Sequence, residues 1–267
     1  SEITGPKHQA KRPHYFKENS IMLELYHYAD SLCSMKVRLC LIEKGVDYKS
    51  KFVDLMKFEN LKEDYKKLNP NAVVPTIVHD GTAIIESTVI NQYIDEVFDG
   101  PSLTPEDPVS RASMRVWTKL QDDVIHPAVQ KPTFNLLVKP KLAVKSDEEL
   151  DEWLDNHPLE KSRKLFKGAA RGPVDEAALE NARTQFKFVF DRMEATLRNN
   201  EWLCGNSYSL ADVAYAPMLD RLAQCEFLEV FDDYPNLQTW SDRIRGRDAF
   251  QEMRPKGKER FTNMEIG

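Results

Sequence analysis

Residues 73–90 read VVPTIVHDGTAIIESTVI, and this stretch decides the fold. Two short apolar runs flank the Asp80-Gly81 pair, which supplies the positive φ angles that a tight β-hairpin turn requires. From Ser87 to Phe98 the apolar residues recur at every third or fourth position, which is the spacing of an amphipathic helix. The stretch therefore predicts a β-hairpin that leads directly into a helix.

The residues before the hairpin add a β-α-β pattern. Residues 22–27 alternate between apolar and polar side chains, as a half-buried strand does. Residues 35–44 have helical spacing that ends at Gly45, and residues 51–54 have the pattern of a second strand. Residues 21–100 are therefore predicted to form one β-α-β-α-β-β-α domain.

The chain changes character after this domain. Three prolines and a glycine lie in or next to residues 101–108, a composition typical of a linker. Beyond this linker, residues 109–255 are predicted to form an all-helical domain, followed by a tail at residues 256–267. Residues 131–173 are too long for an ordinary connection between helices, which predicts a lid or a helical insertion there. The expected helices cover residues 109–130, 146–156, 174–198, 209–224 and 235–250.

Composition excludes several classes of protein. The chain has 267 residues, of which 41% are hydrophobic, so a large core can form without metals or disulfides. A net charge of −6 opposes binding to nucleic acid, and no apolar run approaches the ~18–20 residues of a membrane span. Residues 1–20 lack the apolar centre of a secretory signal and are predicted to be a mobile extension. Four cysteines without a C-x-x-C pair favour a reducing cytoplasm and match no zinc site.

Candidate chemistry begins with Cys33 and Ser34, between the first predicted strand and the first helix. A thiol or hydroxyl there lies beside unpaired helix amides, which stabilise an anion on sulfur or oxygen. Cys33 is therefore a candidate nucleophile of lowered pKa. The alternative is structural, with Ser34 as the helix N-cap and Cys33 as a small apolar residue.

Two further pairs lie at the same edge of the predicted sheet. The proline of Val74-Pro75 opens a strand, which suggests a cis bond that turns the Val74 backbone towards an extended peptide ligand. The alternative is an ordinary edge-strand proline. At Glu86-Ser87 an acid, a hydroxyl and free helix amides converge, although Ser87 alone also has the pattern of an N-cap. Together the three places predict a site for a thiol peptide.

These motifs in combination resemble the glutathione S-transferase family, and the resemblance extends from about Met22 to Met253. Leu25 to Lys36 is similar to the start of a zeta-like branch, the bacterial tetrachlorohydroquinone reductive dehalogenases. Four other segments resemble the lignin β-aryl-ether cleaving transferases: Asn69–Pro75, Glu86–Ile90, Arg111–Lys119 and Ser146–Glu149. A further segment, Ser207–Asp212, resembles the start of a helix that the whole superfamily shares.

The resemblance implies an α+β fold, with a thioredoxin-like βαβαββα domain that binds glutathione and a helical-bundle domain that binds the acceptor substrate. It implies a cytoplasmic homodimer that holds glutathione as a thiolate for attack on an aromatic or other hydrophobic electrophile, with no metal. A family member that binds glutathione or a hydrophobic ligand without catalysis is an alternative, because fold alone does not establish activity.

The resemblance also implies roles for single residues. Ser34 matches the serine that hydrogen-bonds the glutathione sulfur, and Val74, beside a cis-Pro75, matches the residue that pairs with the cysteinyl backbone. Glu86 and Ser87 match the pair that holds the amine and carboxylate of the γ-glutamyl end.

Asn60 completes the implied glutathione-binding set. For the acceptor substrate, the candidates lie on the first helix of the second domain and are Arg115, Gln121 and His126. His126 precedes a proline, and the alternative for it is an ordinary surface or core residue.

Cys33 departs from the pattern of the etherases, which have asparagine at that position. In the dehalogenases the matching cysteine attacks a glutathionyl intermediate and forms a mixed disulfide. Two chemistries therefore stay open: conjugation or displacement by glutathione thiolate, and a reductive dehalogenase or thiol oxidoreductase reaction through Cys33.

Overall fold

A computed structural model describes residues 23–263 of the chain. Within this range lie a four-stranded sheet with three helices, followed by a larger helical region. The extension predicted for residues 1–20, Met22 of the first predicted strand and the last four residues of the predicted tail lie outside the described residues.

The first domain has the predicted βαβαββα order. Its elements are β1 (Leu23–His27), α1 (Leu32–Lys44), β2 (Lys49–Phe52), α2 (Glu63–Leu68), β3 (Thr76–His79), β4 (Thr82–Ile85) and α3 (Ser87–Val97). The strand order is β2-β1-β3-β4, with β1 parallel to β2 and antiparallel to β3. The second strand begins two residues earlier than predicted, and the third begins at Thr76, directly after Pro75.

Local sequence explains the hairpin and the sheet face. Asp80 and Gly81 both have positive φ angles, 48° and 81°, so the predicted tight turn between β3 and β4 is confirmed. In β1 the side chains of Leu23, Leu25 and His27 are buried and those between them are half-buried. Helix α1 packs against α3 on one side and against two helices of the second domain on the other, which explains its burial on nearly every face.

A long helix opens the second domain, and it extends further than the predicted 109–130. It runs without interruption from Pro108 to Leu142, with two stretches of wider π-helical turn. Its parts are α4 (Pro108–Leu120), a π turn (Gln121–Ile125), α5 (His126–Pro132), a second π turn (Thr133–Val138) and α6 (Lys139–Leu142). Proline within a helix clashes with the carbonyl four residues earlier, and a wider turn relieves that clash. The helix therefore continues through its internal prolines.

The remaining helices complete the second domain. They are α7 (Asp147–Asn156), α8 (Glu160–Ala170), α9 (Glu176–Leu197), α10 (Leu210–Gln224), α11 (Pro235–Arg245) and α12 (Asp248–Met253). The segment predicted as an insertion, residues 131–173, therefore comprises the end of the long helix and the pair α7 and α8. None of the helices within residues 23–263 is long and apolar enough to cross a membrane.

A capping box at the start of α10 ties the core together. The Ser209 hydroxyl accepts the Ala211 amide, and the Asp212 carboxylate accepts the Ser209 amide at 3.0 Å. Asp212 also accepts the indole N–H of the fully buried Trp240 at 2.9 Å. Hydrogen bonds to an ionised carboxylate are among the stronger ones in proteins, so this box holds α10 and α11 together.

Candidate active site

A cavity of about 490 Å³ lies between the two domains. The first domain contributes the segment between β1 and α1, the residues before β3 and the start of α3. Opposite them are the long helix and the pair α7 and α8. Of the predicted site residues, those lining this cavity are Cys33, Asn60, Val74, Pro75, Glu86, Ser87 and His126.

Helix α1 begins about one turn before Ser34, so the alternative in which Ser34 is the N-cap is wrong. The N-cap is Ser31, whose hydroxyl accepts the backbone N–H of Ser34 at 3.3 Å. Cys33 is the second residue of the helix, is half-buried and lines the cavity, as does Ser31. The amides at the start of a helix have no intrahelical acceptor, so the cavity meets the positive end of α1 here.

Ser34 does not have the position predicted for it. Its side chain is fully buried, it is not part of the cavity lining, and its Oγ has no hydrogen-bond partner among residues 23–263. As the third residue of the helix it is rotated by about 100° from Cys33, which follows from 3.6 residues per turn. The side chain that meets the cavity at this point is therefore the thiol of Cys33.

Cys33 meets His126 across the domain boundary. The Sγ atom lies 3.5 Å from Nε2 of His126, which is the first residue of α5 after the π turn. Both residues line the cavity. His126 therefore stays a candidate site residue, with its ring next to a thiol in the cavity.

The surroundings of Cys33 lower the pKa of its thiol. Burial by itself raises the pKa of Cys33, but the charge and hydrogen bond of His126, the nearby ammonium of Lys36 and the Ser87 hydroxyl lower that pKa to about 7. For His126, burial opposes protonation, yet the neighbouring Cys33 thiolate raises the pKa of the ring above its ordinary value. Near neutral pH a large fraction of Cys33 is therefore thiolate.

Alkylation by iodoacetamide is expected to follow this ionisation. The thiolate reacts and the thiol does not, so the rate at Cys33 rises with pH to half its maximum at about pH 7. In His126→Gln the midpoint is expected to move up, towards or above the ~8.5 of a free cysteine. Mass spectrometry of the labelled peptides gives both profiles. Burial raises the pKa of Cys204 to about 11 and that of Cys225 to about 12, so these thiols serve as internal controls. An unchanged midpoint in His126→Gln would refute the pairing.

The segment before β3 has the expected geometry for a backbone ligand. The Val74-Pro75 peptide is cis, so the alternative of an ordinary edge-strand proline is wrong. Val74 lies outside the strand ladder, and no hydrogen bond to its backbone is found within residues 23–263. The buried Asn60 supports this segment, because its Nδ2 donates to the carbonyl of Ala72 at 2.8 Å. Its Oδ1 has no partner among the described residues.

Glu86 and Ser87 stand at the start of α3. Ser87 is the first helical residue and is buried, whereas Glu86 occupies the cap position with a φ of 69°. The alternative of Ser87 as an N-cap is therefore wrong, since no side chain caps this helix. A non-glycine residue with positive φ is uncommon and is found often at functional sites. The arrangement presents a carboxylate, a hydroxyl and free helix amides to one end of the cavity.

Two residues predicted for the acceptor substrate lie elsewhere. Arg115 is exposed on α4, and Gln121 is buried; neither lines the cavity. Gln121 accepts a hydrogen bond from Nζ of Lys36 at 3.2 Å, and Lys36 also donates to Asp122 at 2.9 Å. Arg115 and Gln121 were predicted because they lie on the long helix, which does line the cavity. Only the rotation of that helix decides which side chains face the first domain.

Lys36 therefore has a role that the sequence did not indicate. It is fully buried in α1 and binds Thr88 of α3 at 2.8 Å as well as Asp122. Thr88 in turn donates to Asp122 at 2.6 Å. Asp122 lies in the π turn that precedes His126, so this network holds the turn against the first domain and sets the position of the imidazole beside Cys33.

A second set of residues was missed because it comes from distant parts of the chain. The carboxylate of Asp30 receives the guanidinium of Arg221 at 2.7 Å and the backbone N–H of Phe261 at 2.7 Å, all of them buried. All three residues line the cavity. No single motif joins residues 30, 221 and 261. Within residues 23–263 no group of histidine, cysteine and acidic side chains has the arrangement of a metal site.

Comparison with known proteins agrees with this geometry. Residues 25–102 match the family model of the glutathione S-transferase N-terminal domain, and residues 134–248 match that of the C-terminal domain. Protein LigF of Sphingobium sp. (strain NBRC 103272 / SYK-6) is 36% identical over 88% of this chain and 94% of its own. The crystal structure of β-etherase LigF from that strain superimposes with a TM-score of 0.80 and 34% identity, over 87% of this chain and 98% of the other.

Two other relatives represent different branches. The tetrachloro-p-hydroquinone reductive dehalogenase of Sphingobium chlorophenolicum is 28% identical over 87% of this chain and 95% of its own. Glutathione S-transferase PARB of Nicotiana tabacum is 29% identical over 82% of this chain and 91% of its own.

Proposed function

Because this chain belongs to the glutathione S-transferase family, we propose that it binds glutathione in the interdomain cavity and transfers the thiolate to an aromatic electrophile. The reaction is either conjugation or displacement of an aryloxide or halide. The observation that carries the proposal is the convergence of four features on one cavity: the Val74 backbone, the Glu86-Ser87 pair, the start of α1 and the aromatic rings of Phe134 and Phe166.

The first domain holds the tripeptide. The Val74 backbone pairs with the cysteinyl residue of glutathione as a neighbouring strand would. Glu86 receives the γ-glutamyl ammonium, and Ser87 with the α3 amides receives its carboxylate. Asn60 positions the segment before Val74 through its bond to Ala72.

The start of α1 lowers the pKa of the bound thiol. A free thiol titrates near ~8.5, and a thiolate at the positive end of a helix is stabilised relative to the thiol. The sulfur then attacks the electrophilic carbon. A carbon–sulfur bond forms, the leaving group departs with the electron pair of its bond, and the thiol proton has already passed to solvent.

The Glu86→Gln variant tests the glutathione site. Neutralising the carboxylate removes an ion pair with the ammonium of glutathione, and we expect the dissociation constant of glutathione to rise by about 10-fold. Isothermal titration calorimetry measures this, alongside turnover of 1-chloro-2,4-dinitrobenzene. Glu63→Gln on α2 is the matched control, because Glu63 is exposed and lies outside the cavity lining. Equal affinities in the two variants would contradict the proposed role of Glu86.

A second function is favoured by one specific observation, the contact of Cys33 with His126 at 3.5 Å. A thiolate at this position can attack the sulfur of a glutathionyl mixed disulfide and release the partner thiol. A second glutathione then attacks the glutathionylated Cys33 and leaves as glutathione disulfide. Such a thiol oxidoreductase reaction, or a reductive dehalogenation ending in the same step, uses the same glutathione site.

We also propose that the protein is a cytoplasmic homodimer, as the family generally is dimeric. The four cysteines are all free thiols, which agrees with a reducing compartment. Sedimentation equilibrium of the full chain tests the dimer.

A further inference from the structure

Three aromatic rings form a wall of the cavity that the proposed glutathione site does not use. The ring of Phe166 on α8 meets Phe134 of the long helix edge to face, with 4.8 Å between centroids. The centroid of the Phe166 ring also lies 3.9 Å from that of Trp153 on α7. All three residues line the cavity. Edge-to-face packing holds the rings in place, so this wall is a preformed surface for a planar ring.

Trp153 has one polar atom without a partner. The side chain is 3% exposed, and its Nε1–H has no hydrogen-bond acceptor within residues 23–263. A buried indole N–H usually finds an acceptor, because leaving that bond unmade is costly. This N–H is covered by its neighbours, and the indole is also stacked on Phe58, so Trp153 supports the wall from behind and offers no donor to a ligand.

His157 provides a hydrogen-bond donor in the same wall. Its Nδ1 accepts the backbone N–H of Leu159 at 3.1 Å. Burial and the guanidinium of Arg163 lower the pKa of the ring to about 4, so it is neutral near pH 7. A neutral imidazole that accepts at Nδ1 carries its proton on Nε2. His157, which lines the cavity, therefore has an N–H to donate.

Lys161 adds a positive charge in the first turn of α8. Its side chain is exposed and lines the cavity, and no salt bridge to it is found among the described residues. Lys164 lies three residues further on, pairs with Glu160 at 2.7 Å and is outside the lining. The two lysines on one helix thus differ in both position and pairing.

The carboxylates of the cavity lie on other elements. Asp30 is paired with Arg221, Asp122 is paired with Lys36, and Glu86 stands at the start of α3. No acidic residue between 147 and 170 lines the cavity. The α7–α8 side of the cavity therefore offers the N–H of His157 and the ammonium group of Lys161 to a ligand, without an opposing acid.

We propose that the acceptor substrate is an aromatic electrophile that bears a carboxylate. Its ring packs on Phe134 and Phe166, and its carboxylate accepts hydrogen bonds from Lys161 and His157. The inference rests on the proposed function, because it specifies the substrate class of the same cavity. The bond changes are those of the transfer itself, and the carboxylate takes no part in them.

A pair of matched electrophiles tests the proposal: 4-chloro-3-nitrobenzoate and its methyl ester, each with glutathione. Each kcat/KM is divided by the rate constant of the uncatalysed reaction, which removes the difference in intrinsic reactivity. The carboxylate is expected to be favoured by about 10-fold, since a hydrogen bond to a charged group is among the stronger ones. In Lys161→Met this ratio falls close to one, whereas in the control Lys164→Met it is unchanged.

The outcomes separate this inference from the proposed function. If both electrophiles are conjugated with equal normalised kcat/KM, or the ratio survives in Lys161→Met, the carboxylate assignment is wrong and the transferase function stands. If neither is conjugated, calorimetry with the two preformed S-aryl glutathione conjugates decides. Tighter binding of the carboxylate conjugate that is lost in Lys161→Met supports the assignment, and equal binding overturns it. Failure of the chain to bind glutathione or either conjugate refutes the function as well.

Discussion

The Cys33→Ser variant is expected to lose at least ~100-fold of any thiol–disulfide exchange activity, and to keep conjugation of glutathione to an aromatic halide within about threefold. Exchange requires a covalent bond between Cys33 and the glutathione sulfur, and a serine hydroxyl cannot form it. Conjugation requires only that the thiolate of glutathione be held at the start of α1, which the substitution leaves in place. The exchange assay uses 2-hydroxyethyl disulfide with glutathione, and 1-chloro-2,4-dinitrobenzene reports conjugation.

Cys204→Ser is the matched control for this experiment. Cys204 is half-buried, lies outside the cavity lining, and has a pKa raised to about 11 by burial. Both activities are expected to be unchanged in it. A loss of conjugation in Cys33→Ser as large as the loss of exchange would contradict the proposed transfer mechanism. Retention of both activities would remove Cys33 from the chemistry altogether.

The second large effect concerns the buried acid at the back of the cavity. The Asp30→Ala variant is expected to lower the free energy of unfolding by about 3–5 kcal/mol, because it leaves the buried guanidinium of Arg221 without a counter-ion. Asp30 also accepts from Gln224 at 3.0 Å and from the backbone of Phe261 at 2.7 Å, so two further donors lose their acceptor. Urea denaturation followed by far-UV circular dichroism measures the change.

Asp64→Ala is the control for the stability measurement. Asp64 pairs with Lys67 on α2 at 3.1 Å, and both side chains are largely exposed. Exposed pairs contribute little, so the expected loss is below about 1 kcal/mol. A similar small loss in Asp30→Ala would mean that Arg221 reaches water or another acid when Asp30 is absent.

Local sequence was sufficient for the elements of the first domain. The hairpin at Asp80-Gly81 depends on neighbouring residues and was predicted, whereas for Val74-Pro75 the sequence left the cis bond and an ordinary edge-strand proline both open. The end of the long helix was not predicted, because this helix continues through internal prolines, where a helix usually ends. The π turns at residues 121–125 and 133–138 admit the prolines, and they form only where tertiary packing supports them.

The same distinction between local and tertiary causes applies to the site residues. Residues next to a chain reversal or a strand end, such as Val74 and Glu86, were placed in the cavity correctly. Ser34 was not, because α1 begins one turn before it, and Ser34 is then a helical residue that lies about 100° around the helix from Cys33. Sequence spacing does not fix the start of a helix, and that start decides whether the thiol or the hydroxyl faces the cavity.

From the sequence by itself came the order of strands and helices and the edge of the sheet for which we propose a thiol-peptide site. These are consequences of turn geometry and apolar periodicity, which are properties of short segments. The tertiary structure alone decided that Cys33 meets His126, that Lys36 anchors the turn before it, and that Lys161 reaches the cavity. Such pairs join residues far apart in the chain, and the packing of whole helices determines their distance and their charge state.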